Sequence, residues 1–231
     1  EDTDSKRTVA GAEDHIKDSL KWLGLNIDEG PIKQSERRIL YNKRVDELLK
    51  KGLAYYAFDS SAELERARKE SNGEFKYNHE TRKDMINSFT VSEEEARNRI
   101  ERGGYVIRMV VPEKKTILVN DEIRGSLSFN SDEIEDKVIM KSDGMPTYHF
   151  ANVVDDHDMK ITSVVRGEEW LSSLPSHITL YNHFGWSPPK FYHLPLILKS
   201  TGQGKLSKRD AEEQGHPIFA VQWEESKGFK E

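Results

Sequence analysis

The second half of the chain alternates helix and strand patterns in an order that restricts the fold. After Gly144, apolar residues at helical spacing over 148–156 and 170–184 alternate with β-rich apolar runs over 161–166 and 191–198. An αβαβ order on this scale implies parallel strands joined by right-handed crossovers. Sheets of this kind bind ligands at the carboxyl ends of their strands. We therefore predict an α/β fold with a Rossmann-like parallel sheet.

The rest of the chain has a different pattern. Apolar residues at helical spacing predict amphipathic helices over residues 10–23 and 34–51. Between residues 55 and 140, short strand-like runs and charged helical stretches are separated by turns, which is typical of a compact α+β module. We predict that residues 1–54 and 141–231 form two parts of the parallel-sheet domain and that residues 55–140 are an inserted module.

The composition excludes several classes of protein. The chain has 231 residues, no cysteine and a formal net charge of −6 at pH 7. Without cysteine there is neither a disulfide framework nor thiolate-bound zinc, which fits a reducing cytoplasm. The net negative charge argues against indiscriminate binding to nucleic acid, although a specific RNA site on an acidic protein stays open.

Membrane and export signals are also missing from the sequence. The apolar runs are far shorter than the ~20 residues that a membrane span needs. The acidic first residues have neither the basic start nor the apolar core of a signal peptide, and the chain does not begin with Met. We expect a soluble cytoplasmic protein with no membrane partner, of which this chain is a segment.

A basic, glycine-flanked stretch follows the last predicted strand. It reads Gly-Gln-Gly-Lys-Leu-Ser-Lys-Arg over residues 202–209, so Lys205 and Lys208 are three positions apart. Glycine loosens the backbone, and two lysines with a hydroxyl between them can close around a polyphosphate. The alternative is a solvated basic turn, the more common fate of a short lysine-rich segment.

Polar residues in the second half are candidates for holding a ligand. Tyr148 and Asn152 are four positions apart, so they lie on one face of the predicted helix, where they can bind a small polar ligand or satisfy neighbouring backbone. Arg166 ends a predicted strand, where its guanidinium can bind a carboxylate through two parallel hydrogen bonds. Glu168 and Glu169 follow it, and such first-turn glutamates also suit the helix dipole.

Asp155, Asp156 and His157 are metal-ligand types in direct succession. Adjacent residues on a helix point in different directions and cannot converge on one ion. We therefore predict no metal site here and expect Asp155 or Asp156 to cap a turn.

Segments of the chain, taken together and in order, resemble the bacterial-type glutamyl-tRNA synthetases, a family of class I aminoacyl-tRNA synthetases. The segments are residues 1–4, 34–37, 148–157, 166–170 and 205–209. The last one, Lys-Leu-Ser-Lys-Arg, is a loose form of the Lys-Met-Ser-Lys-Ser motif of that class. The ordered set spans nearly the whole chain.

The resemblance implies ATP-dependent activation of L-glutamate, with Mg²⁺ accompanying the nucleotide, and transfer of the glutamyl group to tRNA(Glu). It implies that Lys205 and Lys208 are catalytic, since they would neutralise pyrophosphate as charge develops. The implied ATP-binding residues are Glu169, Lys205, Leu206, Ser207, Lys208 and Arg209. The implied glutamate-binding residues are Glu1, Tyr148, Asn152 and Arg166.

The likeness also sets expectations about the surroundings of the chain. The module at 55–140 resembles the insertion that holds the tRNA acceptor end. In the family, a His-Ile-Gly-His-type motif comes before the first residue of this segment and anticodon-binding domains come after its last, so we expect an incomplete parallel-sheet domain that is inactive alone. We expect a monomer without zinc.

Two alternatives to the ligase stay open at this point. One is the glutamyl-Q tRNA(Asp) synthetase paralogue, which attaches glutamate to a modified base. The other is a non-catalytic tRNA-binding module of synthetase descent, since a fold does not guarantee its activity. The long insertion and the intact Lys-Leu-Ser-Lys-Arg sequence favour the ligase over the paralogue.

Overall fold

The structure is a computed structural model that describes residues 2–3, 11–199 and 204–206. The chain divides into two units, one formed by residues 1–33 with 195–231 and the other by residues 34–194. The described α-helices are α1 (Ala12–Trp22), α2 (Arg38–Lys50), α3 (Ser61–Glu70), α4 (Glu93–Arg102), α5 (Tyr148–Asp158) and α6 (Leu174–Phe184). The described strands are β1 (Ala54–Ala57), β2 (Val106–Met109), β3 (Thr116–Asp121), β4 (Gly125–Asn130), β5 (Val138–Met140), β6 (Ser163–Gly167) and β7 (Lys190–Leu194).

Two sheets organise the unit of residues 34–194. The first is antiparallel, with strand order β1-β2-β5. The second has the order β4-β3-β7-β6, in which β6 and β7 are parallel, β7 meets β3 in parallel and β3 pairs with β4 antiparallel. The helix α6 connects β6 to β7. The predicted α/β fold with parallel strands is therefore confirmed.

The middle of the chain contributes strands to both sheets. β3 and β4 belong to the segment predicted as an inserted module, yet β3 pairs with β7 in the second half of the chain. In the other sheet, β2 lies between β1 and β5 and pairs with both. The division at residues 54 and 140 stays a prediction.

Three predicted elements differ from the observed ones. The helix predicted over 34–51 begins as a 3₁₀ helix, Gln34–Arg37, and proline explains the other two differences. The strand predicted over 191–198 ends at Leu194, since Pro195 follows and has no N–H to donate to a ladder. The helix predicted over 170–184 begins as a 3₁₀ helix, Glu168–Ser173, and becomes α-helical only at Leu174. Pro175 then lies in the first turn, where proline is well tolerated.

The helix α5 is positioned by one apolar face. Phe150, Ala151 and Val154 are fully buried in a core that also takes residues from α2, α6 and the strands. Each large side chain buried in this way stabilises the fold by roughly 1.5–3 kcal/mol. Tyr148 and Asn152 fall outside this face and remain half-buried, so their polar groups lie near the surface of the core.

Within the described part of the chain, every helix is too short or too polar to cross a bilayer.

Candidate functional site

Arg166 on β6 lies opposite His193 on β7. The two residues are register partners in the parallel pair, so their side chains project from the same face of the sheet. The Nε of Arg166 donates a hydrogen bond of 2.9 Å to Nε2 of His193. The guanidinium also lies over the ring of Phe191, 5.7 Å from its centre. The alternation of residues along both strands therefore fixes where the arginine projects.

The two terminal nitrogens of Arg166, Nη1 and Nη2, differ in their hydrogen-bond partners. Nη1 lies 3.4 Å from the hydroxyl oxygen of Tyr148 and 3.4 Å from Nδ1 of His177. Nη2 is buried and has no hydrogen-bond partner among the described residues. A buried donor without a partner costs about 1–3 kcal/mol, and more when it is charged. This nitrogen is therefore available to an anionic ligand, and a carboxylate is the group that a guanidinium binds best.

His193 is in turn bonded to Asp121 at the end of β3. Its Nδ1 lies 2.6 Å from Oδ2 of Asp121, and neither side chain has solvent exposure. The other carboxylate oxygen accepts from the backbone N–H groups of Ile123 and Arg124 at 3.0 and 2.8 Å. Burial raises the pKa of Asp121, but these hydrogen bonds outweigh burial, with His193 the largest, and the pKa is lowered overall. Asp121 is therefore ionised at neutral pH.

Two further histidines continue the network. Nε2 of His177 lies 3.1 Å from Nδ1 of His149. Burial, with the charge of Arg166 beside it, lowers the pKa of His177 well below its ordinary value. Burial also lowers the pKa of His149 to about 4, with smaller contributions from Lys137 and Arg166. Both rings are therefore neutral at pH 7, and they add no charge to that of the arginine.

Tyr148 and Asn152 lie one turn apart at the start of α5. The ring of Tyr148 packs against Trp170, with the ring centres 4.7 Å apart, and its hydroxyl faces Arg166. Asn152 is half-buried and makes no side-chain hydrogen bond within the described residues. The structure therefore brings Tyr148 together with Arg166, and it leaves the Asn152 amide available to a ligand.

Glu169 lies in the 3₁₀ helix directly after β6 and is exposed. Its carboxylate folds back over Gly167, so a Cβ at that glycine would lie only 2.0 Å from Oε2. The neighbouring Glu168 pairs with Arg124, which also donates to the backbone oxygen of His193 at 3.3 Å. Gly167 thus makes room for the Glu169 carboxylate.

Lys205 and Leu206 belong to the other unit. Lys205 forms an isolated bridge with Leu198, and the backbone N–H of Leu206 donates to the carbonyl of Ile197 at 2.8 Å. Gly204 has φ +78°, a left-handed conformation that glycine adopts without strain. Lys205, within the basic segment, is itself part of a short β-bridge, and the strand expected to continue to Leu198 ends at Leu194.

The remaining predicted site residues lie outside the described part of the chain. They are Glu1, Ser207, Lys208 and Arg209. Their roles stay predictions.

Asp155 has a structural role rather than a cap. It accepts from the Tyr41 hydroxyl at 2.8 and 2.9 Å and from Nε2 of Gln34 at 2.9 Å. Nε of Arg37 is 3.0 Å away. The nearby His157 instead stacks on Trp186, with ring centres 3.7 Å apart. Asp155 therefore joins α5 to α2 and to the turn before α2.

Asp121, His177 and His193 were missed by the sequence reasoning. One signal was present for His193, because the apolar alternation of β7 places it on the same face as Phe191. The partner strand that brings Arg166 beside it could not be read from the sequence. Asp121 ends β3, which is 72 residues earlier in the chain, so only the tertiary fold joins it to His193.

A mixed α/β sheet whose parallel strands carry an arginine with a buried guanidinium nitrogen, near the carboxyl end of one strand, defines an α/β ligand-binding domain. The family described as the catalytic domain of class I tRNA synthetases (E and Q) matches residues 1–223. The chain belongs to this family.

Individual relatives are similar over the whole chain. A glutamate–tRNA ligase of Azobacteroides pseudotrichonymphae is 55% identical, covering 100% of this chain and 47% of that protein. The glutamate–tRNA ligase of Flavobacterium psychrophilum is 51% identical, covering 99% of this chain and 48% of that protein. The chain thus spans about half the length of the curated relatives it matches.

Solved structures agree with these relatives. The crystal structure of a glutamate-tRNA synthetase from Elizabethkingia anophelis matches with a TM-score of 0.88 at 48% identity, covering 95% of this chain and 47% of that one. A glutamate tRNA ligase from Elizabethkingia meningosepticum, crystallised in complex with its amino acid, matches with a TM-score of 0.87 at 48% identity, covering 94% and 46%.

Proposed function

We propose that this chain forms the central catalytic part of a glutamate–tRNA ligase. In the first step an oxygen of the glutamate α-carboxylate attacks the α-phosphorus of ATP, the bond to the β-phosphate breaks, and pyrophosphate leaves. In the second step a ribose hydroxyl of the terminal adenosine of tRNA(Glu) attacks the activated carbonyl, and AMP leaves. The names of the relatives at 55% and 51% identity support this reaction.

The observation that carries the proposal is the buried Nη2 of Arg166, which has no hydrogen-bond partner among the residues that the structure describes. A glutamate carboxylate there would accept the missing hydrogen bonds and neutralise the guanidinium. A neutral amide would leave the positive charge unbalanced, which favours glutamate over glutamine.

The surroundings of Arg166 suit a single carboxylate. The Tyr148 hydroxyl lies beside Nη1 and can also donate to a bound carboxylate oxygen. Asn152, one turn further along α5, can contact another polar group of the amino acid. His177 and His149 are neutral because burial lowers the pKa of both. The two histidines therefore add no charge to that of the Arg166 guanidinium.

The ATP side of the reaction is assigned through family likeness. Glu169, Leu206, Ser207 and Arg209 would contact the nucleotide, and Lys205 and Lys208 would neutralise charge on the departing pyrophosphate. Mg²⁺ would arrive with ATP as part of the substrate. Glu1 would meet the glutamate ammonium group.

The tRNA would be held by the segment of residues 55–140, whose acceptor-end role is carried over from the family. The division into residues 1–54, 55–140 and 141–231 belongs to the same proposal. We propose further that the natural protein acts as a monomer in the cytoplasm.

The experiment uses the natural protein that contains this chain. We expect glutamate-dependent exchange of pyrophosphate into ATP and charging of tRNA(Glu). Arg166→Gln should abolish both at ordinary glutamate concentrations, whereas Arg44→Gln, which removes an arginine from the separate ion pair with Glu47, should retain them. Glutamylation of tRNA(Asp) without charging of tRNA(Glu), or tRNA binding without exchange, would contradict the proposal.

A further inference from the structure

We propose that Asp121 and His193 are positioning residues for Arg166. The Asp121–His193 pair would fix the histidine tautomer that accepts from the arginine, and so orient Nη2 toward the substrate carboxylate. This inference rests on the proposed function, because it assumes that Arg166 binds glutamate.

The tautomer of His193 follows from the chemistry of arginine. The Nε–H of Arg166 can only donate, so Nε2 of His193 must be an acceptor at 2.9 Å. The proton of the ring is then on Nδ1, where it donates to Oδ2 of Asp121 at 2.6 Å. If both ring nitrogens carried a proton, the Nε2–H of His193 would face the Nε–H of Arg166. The arginine contact therefore requires one form of His193.

Asp121 is arranged to impose that form. Its Oδ1 is occupied by the backbone N–H groups of Ile123 and Arg124, which leaves Oδ2 directed at His193. An ionised carboxylate has no proton to donate, so Nδ1 of the ring must supply it. Because Asp121 and His193 are 3% and 0% exposed, solvent water has little access to compete for these bonds.

The result is a guanidinium held on two sides. His193 accepts a hydrogen bond from Nε of Arg166, and Tyr148 and His177 lie beside Nη1. The remaining nitrogen, Nη2, has no partner in the described part of the chain. Ordering the arginine before the substrate arrives lowers the entropy cost of binding, which is how preorganisation improves affinity.

Asp121→Asn is the most informative substitution. The amide oxygen would keep the bonds from Ile123 and Arg124, because an NH₂ group cannot accept them. The NH₂ group would then face Nδ1 of His193 and force the proton onto Nε2, opposite the Nε–H of Arg166. In Ser-His-Asp hydrolases the same replacement leaves the histidine in the wrong tautomer.

Two replacements of His193 separate its two hydrogen bonds. In His193→Gln, the side-chain amide reaches the place of Nε2 and can still accept from Arg166. In His193→Asn, the shorter amide reaches only the place of Nδ1, so it can bond Asp121 but not Arg166. Both variants lose the imidazole ring, and they differ mainly in whether the side chain can accept the hydrogen bond from Nε of Arg166.

The test measures steady-state pyrophosphate exchange in the natural protein. We expect His193→Asn and Asp121→Asn to raise KM for glutamate by roughly tenfold or more, as loss of a hydrogen bond to a charged group predicts. The KM for ATP should stay within about twofold of wild type, since neither substitution removes a group proposed to contact ATP. His193→Gln should recover much of the loss. His183→Gln is the matched control, since His183 is half-buried and, among the described residues, its ring bonds the carbonyl of Val110 alone.

A second readout does not depend on catalysis. Long-range ¹H–¹⁵N spectra of histidine-labelled protein should show His193 with its proton on Nδ1 in wild type and on Nε2 in Asp121→Asn. An unchanged tautomer in Asp121→Asn, or equal glutamate KM values for His193→Asn and His193→Gln, would overturn the positioning role.

Arg166→Gln in the same assay separates the two proposals. If Arg166→Gln raises the glutamate KM while His193→Asn does not, the positioning inference fails and the glutamate pocket stands. If Arg166→Gln leaves the glutamate KM unchanged, the assignment of the glutamate pocket fails. The positioning inference then fails as well, because it assumes that Arg166 binds glutamate.

Discussion

The carboxylate of Asp155 on α5 accepts the hydrogen bond of the Tyr41 hydroxyl on α2, whose oxygen lies 2.9 and 2.8 Å from the two carboxylate oxygens. Tyr41 is fully buried, and burial raises its pKa, with Asp155 adding to the shift, so the hydroxyl stays protonated as a donor. Arg37 pairs with the same carboxylate. One buried carboxylate therefore ties two helices of the core together.

We predict that Asp155→Ala lowers the free energy of unfolding by about 2–4 kcal/mol, because it removes the buried acceptor of the Tyr41 hydroxyl and of Nε of Arg37, whereas Arg37 keeps its pair with Asp158. Tyr41→Phe should cost only about 1–2 kcal/mol. Chemical denaturation of the natural protein, with the double variant to complete a thermodynamic cycle, measures the coupling. Asp46→Asn is the control, since Asp46 is exposed on α2. Strictly additive effects of the two substitutions would contradict this view of the pair.

This pair shows where sequence reasoning reached its limit. The helices that carry Tyr41 and Asp155 were predicted from apolar spacing, because that signal is local. Their contact spans 114 residues and depends on how the helices pack. Asp155 or Asp156 was expected to cap a turn, because the sequence of a polar helix face does not identify the element that packs against it. The network around Arg166 was hidden for the same reason.

Individual site residues were easier to predict than their surroundings. Tyr148 and Arg166 were expected to contact one ligand, and their side chains do lie 3.4 Å apart. Family likeness supplied that expectation. His193 was not predicted, because a histidine in a strand is more often a core residue than a partner of a functional group. Its role becomes visible only when the register of β6 and β7 is known.

The basic segment supplies a second prediction, which rests on family likeness because Lys208 lies outside the described residues. Lys208→Ala should slow formation of glutamyl-adenylate by about 10²–10³, the usual effect of losing a group that stabilises transition-state charge. The KM for glutamate should change little. Single-turnover measurements of adenylate formation test both values.

Lys190→Ala is the control for Lys208→Ala, since Lys190 is exposed at the start of β7. It removes the same charge from the chain and should leave the rate unchanged. A glutamate KM that rises as much as the rate falls in Lys208→Ala would show that the lysine acts in substrate binding instead of the chemical step.

A third prediction concerns pH. Burial lowers the pKa of His149 to about 4 in the folded protein, whereas an unfolded histidine titrates near its ordinary value of about 6.5. Between these values the unfolded chain binds more protons, so stability rises with pH. Above about pH 6.5, His149 does not reduce the free energy of unfolding. As the pH falls from there toward 4, the free energy of unfolding decreases by at most ~1.4 kcal/mol per pH unit for this one residue.

Urea denaturation of the natural protein at several pH values from 7 to 4.5 measures this slope. His149→Phe keeps an aromatic ring but cannot titrate, so its slope should be smaller than that of wild type. His15→Gln, at an exposed position of α1, is the control and should follow wild type. The same pH slope in His149→Phe and wild type would contradict the assignment.

The last prediction concerns Gly167 and Glu169. The glycine has φ −69°, so alanine fits its backbone, but the added Cβ would lie 2.0 Å from Oε2 and 2.7 Å from Cδ of Glu169. The flexible glutamate side chain can move away, so we expect a stability change within about 1 kcal/mol. If Glu169 contacts ATP, Gly167→Ala should raise KM for ATP several-fold, by an amount similar to Glu169→Ala, with little effect on KM for glutamate.

The double variant tests whether Gly167 acts through Glu169. If the glycine only makes room for the carboxylate, Gly167→Ala should add nothing to Glu169→Ala, since the group that it displaces is already gone. The KM for ATP of the double variant should then equal that of Glu169→Ala in the pyrophosphate exchange assay. Additive increases would mean that the methyl group disturbs something other than Glu169, and Arg166, the preceding residue on β6, would be the first side chain to suspect.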